Sequence, residues 1–341
     1  MAGEPPALDP EQLANLYREV VAPIVFDDVP DGQAAPTLLL LGGQSGAGKS
    51  RLTGRILEQF DGMAALTGDD LRVFHPDYRT LITAQPQQAG AVLAEATRTW
   101  VRAALDDAVT TRRSLLLEGS FGDPDVTLAT ATRFRQAGFR VRVVAIASPR
   151  VLSLVSAASR YLRNVNAGSP ARFTRLSAHD RGYLGTERLI DMVATTAPVD
   201  AVTIYSRNGQ PLFDHTQLDG QGDAQVFAGA KAAVQQGRHP ESWGSVSTMG
   251  LLGELKQITG YATASGQLTQ EIVELLEAAH EHALSDVVPK LSVAADSPQA
   301  RFIQQAVTEQ LVALRRAARE DRPDLDTALG ASPAGPQIQP A

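Results

Sequence analysis

Cysteine is absent from all 341 residues, which removes disulfides, thiol nucleophiles and cysteine-bound zinc in one step. No apolar run approaches the ~18 residues needed to cross a bilayer. The opening MAGEPPALDPEQ has neither the basic nor the apolar segment of a secretion signal, so the expectation is a cytoplasmic protein without a membrane role. Lysine is nearly missing: Lys49, Lys231, Lys256 and Lys290 are the four. Anion recognition beyond Lys49 therefore falls to guanidinium groups, which grip phosphate in a two-pronged way. None of the four lysines follows an asparagine, so a guanine-reading Asn-Lys-x-Asp cannot exist. The net charge of −7 gives no general attraction to nucleic acid. Hydrophobic residues at 43 % and charged residues at 20 % make an ordinary globular balance, long enough for one large or two medium domains.

What is present is concentrated between Thr37 and Ser50. Leu38 to Leu41 read as a strand buried on both faces. Gly43-Gln44-Ser45-Gly46-Ala47-Gly48-Lys49-Ser50 then fits G-x-x-x-x-G-K-[ST] at every defined position. Glycines let such a loop wrap with its backbone N–H groups pointing inward. The helix that follows adds its N-terminal partial charge to the anion site. Lys49 is expected to reach the β- and γ-phosphates of ATP, and the Ser50 hydroxyl to bind Mg²⁺.

Along the rest of the chain, Asp9-Pro10-Glu11-Gln12 carries helix-start chemistry, with a capping box and proline at the first position. Met63–Thr67, Ser114–Glu118, Arg140–Ala147 and Ala201–Tyr205 read as strands, and Asn208-Gly209 turns the last toward Leu212-Phe213. Helices are expected over about 89–109, 125–137, 150–164 and 175–194, the last capped by Thr174. Strands alternating with helices predict an α/β fold, a parallel sheet covered on both faces. The expected organisation is a helix within residues 1–34 packing on a kinase-like domain at 35–235, a helical C-terminal region at 241–320 and a disordered tail at 321–341. Within that region, 267–290 and 297–320 show helical periodicity.

A phosphate loop serves many machines, and the absence of an LSGGQ-like signature narrows them toward a phosphotransferase. Such an enzyme needs a carboxylate to deprotonate a hydroxyl and cations around the moving phosphoryl group. Asp69 and Glu118 each stand at a predicted strand end, where ligands sit in open α/β sheets. Either could orient the acceptor or hold Mg²⁺ through water, or cap the following turn. Asp70 reads as a helix cap. His75 and His179 read as structural, and the i, i+2 pair His280 and His282 points to two faces of its helix, away from a metal site.

Together these runs resemble the zeta toxins. Gly42 to Ser50, Asp69-Asp70-Leu71-Arg72-Val73-Phe74-His75-Pro76, Leu117-Glu118-Gly119-Ser120, Ser159-Arg160-Tyr161, Ala171-Arg172 and Ala178-His179-Asp180 follow the family's order at about its spacing, over residues 10–215. The resemblance implies a P-loop kinase that uses ATP and Mg²⁺ to phosphorylate the 3′-hydroxyl of the sugar in UDP-N-acetylglucosamine. It implies that Asp69 is the base, that Lys49, Arg160 and Arg172 serve the phosphates, and that Glu118, Ser120 and Thr130 contact the acceptor.

The resemblance also implies a small helical antitoxin that obstructs the ATP pocket. One position departs: where the family often carries a substrate-contacting glutamate on the long helix, this chain has Arg102, and the nearest glutamate is Glu95. Either Glu95 substitutes, or the acceptor is another hydroxyl compound such as a nucleotide, NAD or an antibiotic. A reading of a different class is a binding protein that ATP switches, with 241–320 as its docking part.

Overall fold

The computed structural model describes residues 8–84, 89–90, 92–169, 171–196, 199–216 and 227–320. The tail at 321–341 lies outside the described residues. The chain divides between Glu241 and Ser242 into two compact units.

The first unit is built on a six-stranded sheet of β1 (Thr37–Gly42), β2 (Met63–Thr67), β3 (Ser114–Gly119), β4 (Arg140–Ala147), β5 (Ala201–Ser206) and β6 (Pro211–Thr216). Their order is β2-β3-β1-β4-β5-β6, parallel except for β6, which runs antiparallel to β5. β1 lies between β3 and β4. Strand order reverses there, which opens a crevice at the carboxyl ends of the strands. Glu118 of β3 aligns with Leu41 of β1 on one side and Thr67 of β2 on the other, so the loop after β1 and the acids after β2 and on β3 share one edge.

The pleat of β1 divides its leucines between two cores. Leu38 and Leu40 join Trp100, Phe134 and Leu189, whereas Leu39 and Leu41 join Ala47, Leu52 and Ile56. Each is at most 2 % exposed, and such burial stabilises by about 1.5–3 kcal/mol per side chain. The second core belongs to α2 (Lys49–Leu57), whose buried side chains are Leu52 and Ile56. The first is made with α1 (Pro10–Leu16), α4 (Ala94–Thr111), α5 (Pro124–Gln136) and α7 (Leu176–Thr196), while α3 (Tyr78–Ala84) and α6 (Arg150–Asn166) complete the order before it. Helices thus cover both faces, as the α/β alternation requires.

Local chemistry explains most ends. Asp9 accepts from the Gln12 amide at 2.8 Å and Gln12 Oε1 accepts from the Asp9 amide at 3.0 Å, closing the capping box. The helix then passes through a π-helical turn (Tyr17–Val21) to Val25, and Trp100 Nε1 donates to the Leu13 carbonyl at 3.0 Å. The long alanine-rich helix begins later than the periodicity suggests, at Ala94, after a break at Leu93. It ends where Arg112 turns left-handed, φ 53°, with its guanidinium donating to the carbonyls of Gln33 and Ala34, each at 3.2 Å. Asp70 is not a side-chain cap. It opens a short 3₁₀ turn (Asp70–Phe74) in which the Thr67 hydroxyl accepts from the Asp70 amide at 3.2 Å. Asn208-Gly209 makes the β5–β6 hairpin, with Gly209 at φ 77°, and α8 (Ala228–Arg238) follows β6.

The second unit holds α9 (Ser245–Ala264), α10 (Gln270–His282) and α11 (Pro298–Glu320). Leu251, Leu255, Ile258, Leu275, Leu276, Leu311 and Leu314 are buried. Trp243 is a core residue whose Nε1 donates to the Asp286 carbonyl at 3.0 Å. Arg315 ties α11 to Glu277 and Glu281 at 3.1 and 2.7 Å. His280 is fully buried and bonded to the Leu276 carbonyl, while His282 pairs with Asp286. Among the described residues no group of three or more His, Cys, Asp or Glu is placed to hold a metal.

Candidate functional site

The carboxyl edge of the sheet opens into a cleft of about 780 Å³ in the first unit, within the range of small-molecule sites. It is lined by the phosphate loop and the start of α2, with Ser45, Gly46, Gly48, Lys49 and Ser50, and by Asp69, Asp70 and Arg72 after β2, with Thr97 and Arg98 from α4. Glu118 and Ser120, from the end of β3 and just beyond it, and Arg160, Arg172 and Arg207 complete the lining. Seven cationic side chains thus meet three carboxylates there, in a chain whose net charge is −7. That inversion of sign makes the cleft an anion site.

Lys49 sits at the first position of α2, half-buried, and Nζ donates to the carbonyls of Gly43 and Gln44 at 2.8 and 3.2 Å. Burial is the main reason its pKa falls from 10.5 to about 8. Glu118 opposes that fall, and Arg172 and Arg160 add to it. The ammonium lacks a full complement of anionic partners, which a polyphosphate would supply. Gly46 adopts φ 78°, open to glycine at little cost. Gln44 and Ala47 are fully buried, so they meet a ligand through backbone alone.

Asp69 lies two residues past β2 and is bracketed by guanidinium groups. Arg172 pairs directly with one carboxylate oxygen, and Arg72 stands 3.5 Å from the other. Glu118 accepts from the Thr53 hydroxyl of α2 at 3.0 Å, which anchors it beside the loop. Arg160 donates to the Ser45 hydroxyl at 3.1 Å, and Ser45 also meets Thr174 at 3.0 Å. Ser50, Asp69 and Glu118 all line this cleft and carry hard oxygen donors of the kind Mg²⁺ takes.

Two expected acceptor contacts lie elsewhere. The Thr130 hydroxyl donates to the Val126 carbonyl one turn back, and Thr130 does not line the cleft. The rotation of α5 about its axis decides this. Glu95 is exposed and likewise outside the lining; α4 presents Ala94, Thr97 and Arg98 instead, and Arg102 lies off the cleft as well. His75 hydrogen-bonds locally, accepting from the Asp77 amide at 3.1 Å. The sequence reasoning missed Arg207, which donates to the carbonyl of Gly46 and to the hydroxyl of Ser156. Its one signal was an arginine just past a strand end.

A family model described as Zeta toxin matches residues 25–218. Toxin PezT of Streptococcus pneumoniae serotype 4 is 31 % identical over 189 residues, covering 52 % of this chain and 72 % of that protein. Toxin zeta of Enterococcus hirae is 25 % identical over 182 residues, and the match spans 52 % of this chain and 63 % of its length. A solved structure from the PezAT chromosomal toxin–antitoxin system of Streptococcus pneumoniae superposes with a TM-score of 0.59 at 22 % identity, over 74 % of this chain and 98 % of that one. That last likeness is one of fold. The family model spans more than half of the chain and takes in the loop, both carboxylates and the arginines around them, and on that ground the chain belongs to the zeta toxin family.

Proposed function

We propose that this chain is an ATP-dependent kinase that transfers the γ-phosphoryl group to a sugar hydroxyl, with the 3′-hydroxyl of UDP-N-acetylglucosamine as the leading acceptor. The observation that carries the reading is a carboxylate, Asp69, facing the same cleft as the phosphate loop and held beside Arg172. The loop amides, Lys49 and Arg160 bind and orient the triphosphate. Ser50, with Asp69 or Glu118 through water, would hold Mg²⁺, which when bound neutralises charge between the β- and γ-phosphates.

Asp69 accepts the proton from the acceptor hydroxyl as that oxygen bonds to the γ-phosphorus. The bond from the γ-phosphorus to the bridging oxygen breaks, and ADP carries that electron pair away. Because Asp69 and Arg172 form one ion pair, a triphosphate that draws Arg172 toward itself frees a carboxylate oxygen for this task. Glu118 and Ser120 border the acceptor side, and Glu118 is anchored through Thr53. A small helical antitoxin that covers the ATP pocket is part of the proposal, in keeping with relatives named as toxins and with a solved relative described as part of a toxin–antitoxin system.

A second reading keeps the chemistry and changes the acceptor to another hydroxyl compound. It is favoured by Arg98, which stands on the α4 wall where a carboxylate would suit a neutral sugar. Incubation with γ-labelled ATP, UDP-N-acetylglucosamine and a panel of nucleotides, read by product mass, separates the two. Phosphorylated UDP-N-acetylglucosamine supports the first. Phosphorylation of another member alone supports the second, and no labelled product from any of them rejects both.

A further inference from the structure

Beneath the phosphate loop runs a buried chain of side chains that the phosphoryl-transfer scheme leaves unused. Gln44, the loop's second residue, donates through Nε2 to the Ser148 carbonyl and to the Ser153 hydroxyl, both at 3.1 Å. Ser153 Oγ is 2.9 Å from His179 Nε2. His179 Nδ1 is 3.1 Å from Asp180 Oδ1. Arg150 closes the far end, donating to both carboxylate oxygens at 2.9 and 2.6 Å. Gln44, Ser153 and His179 are each 0 % exposed.

With the proton of His179 on Nδ1, directed at Asp180, Nε2 is an acceptor for the Ser153 O–H, which also has the Arg150 and Pro149 carbonyls at 2.9 and 3.3 Å, and Ser153 Oγ accepts from Gln44. Burial works to raise the Asp180 pKa, yet hydrogen bonds from His179 and Arg150 hold its carboxyl at about 2, so the chain ends on a fixed negative charge. Bonds aligned this way polarise and strengthen one another in a low-dielectric interior. A serine, histidine and aspartate in this order could suggest a nucleophile, but Ser153 has no access for a substrate.

The backbone of the loop rests on the same two helices. A Cβ on Gly46 would lie 2.1 Å from the Ser153 carbonyl oxygen of α6. A Cβ on Gly182, one turn past His179 on α7, would lie 3.1 Å from Gln44 Cα. The loop is therefore seated on α6 and α7 with no clearance, and the polar chain locks Gln44, the loop's buried polar side chain.

We infer that His179 and Ser153 are positioning residues of the phosphate loop: through Gln44 they fix the backbone from which the loop N–H groups meet the triphosphate. This rests on the reading of the cleft as an ATP site and adds to it what holds the site in shape before nucleotide arrives. It concerns residues that touch no substrate, and it needs no acceptor to test.

The test is Mg-ATP affinity by calorimetry, with amide hydrogen exchange of residues 43–50 in the nucleotide-free protein, on the wild type, Ser153→Ala, His179→Ala and His179→Gln. Ser153→Ala removes one oxygen and is the variant least exposed to misfolding. Both alanine variants are expected to weaken ATP binding about tenfold, the scale of leaving a buried hydrogen-bonding group unpaired, and to speed exchange in the loop. His179→Gln, whose Oε1 can accept from Ser153, recovers part of the affinity. Unchanged ATP affinity and loop exchange in folded Ser153→Ala, with only the melting temperature lowered, overturn the inference and leave the ATP site standing. A wild type that does not bind ATP overturns the ATP site itself.

Discussion

Lys49 should make ATP affinity fall as pH rises through about 8, well before an ordinary lysine would titrate. Burial on the loop lowers its pKa from 10.5 to about 8 in the nucleotide-free protein. At about 1.4 kcal/mol per pKa unit, the folded chain gives up about 3 kcal/mol to keep that proton where both states are charged. For stability the sign is therefore positive with pH. The unfolded chain holds the proton between about 8 and 10.5 while the folded one has released it, so folding gains across that window.

For ATP the sign reverses, because a triphosphate binds the ammonium form. Below pH 8 the cation is in place and Kd is flat. Above it the free protein must first take up a proton, and Kd rises by up to about tenfold per pH unit, or about tenfold between pH 7 and 9. The terminal phosphate has finished titrating by then, its second pKa lying near about 6. Calorimetry with Mg-ATP at constant ionic strength from pH 7 to 9.5 reads the curve. Lys49→Met should bind more weakly and lose this pH dependence. A wild-type Kd that stays level to pH 9.5, or a Lys49→Met curve with the same slope, would refute the reasoning.

Three further outcomes follow from the packing. Gly46→Ala places a Cβ against the Ser153 carbonyl at φ 78°, and ATP affinity should drop by at least about tenfold, given about 1–2 kcal/mol for the backbone alone; calorimetry decides it. Trp100→Phe removes the indole donor to the buried Leu13 carbonyl, which keeps the Tyr17 amide, and should cost about 0.5–1.5 kcal/mol in urea denaturation, the net worth of one hydrogen bond, with ATP affinity unchanged. Thr130→Val, off the cleft, should leave the acceptor KM within about twofold, the scale of a substitution away from any special feature; steady-state kinetics would expose a larger effect.

Much of this fold was legible because its signals are local. Four consecutive leucines can hardly be anything but a strand buried on both faces, and the loop after them is a contiguous motif whose every position answers to backbone geometry. The capping box at Asp9 and the turn at Asn208-Gly209 are likewise decided within four residues. Asp69 and Glu118 could be placed because a strand's end is easy to find and parallel strands end on one edge. What could not be read is rotation and partnership. Thr130 and Glu95 lie on helices whose cleft-facing side depends on how α5 and α4 roll against the sheet. Arg207 meets Gly46 only because β5 lies beside β4, a pairing no local pattern announces. Helix α9, with Gly250, Gly253 and Gly260 inside it, lacks the clean apolar stripe that marks α10 and α11. The buried chain from Gln44 to Asp180 joins three separate segments, and in the sequence Ala178-His179-Asp180 shows only as a short motif.

In the proposed reaction Asp69, just past β2, readies an alcohol for a phosphoryl group held by the loop. Asp69→Asn tests it most directly: phosphorylated product is counted by mass spectrometry from Mg-ATP and whichever acceptor the wild type uses, beside ATP affinity by calorimetry. Product formation is expected to fall about 10²- to 10⁴-fold, the usual worth of a positioned base, with ATP still bound. Product formed at the wild-type rate by Asp69→Asn would contradict it.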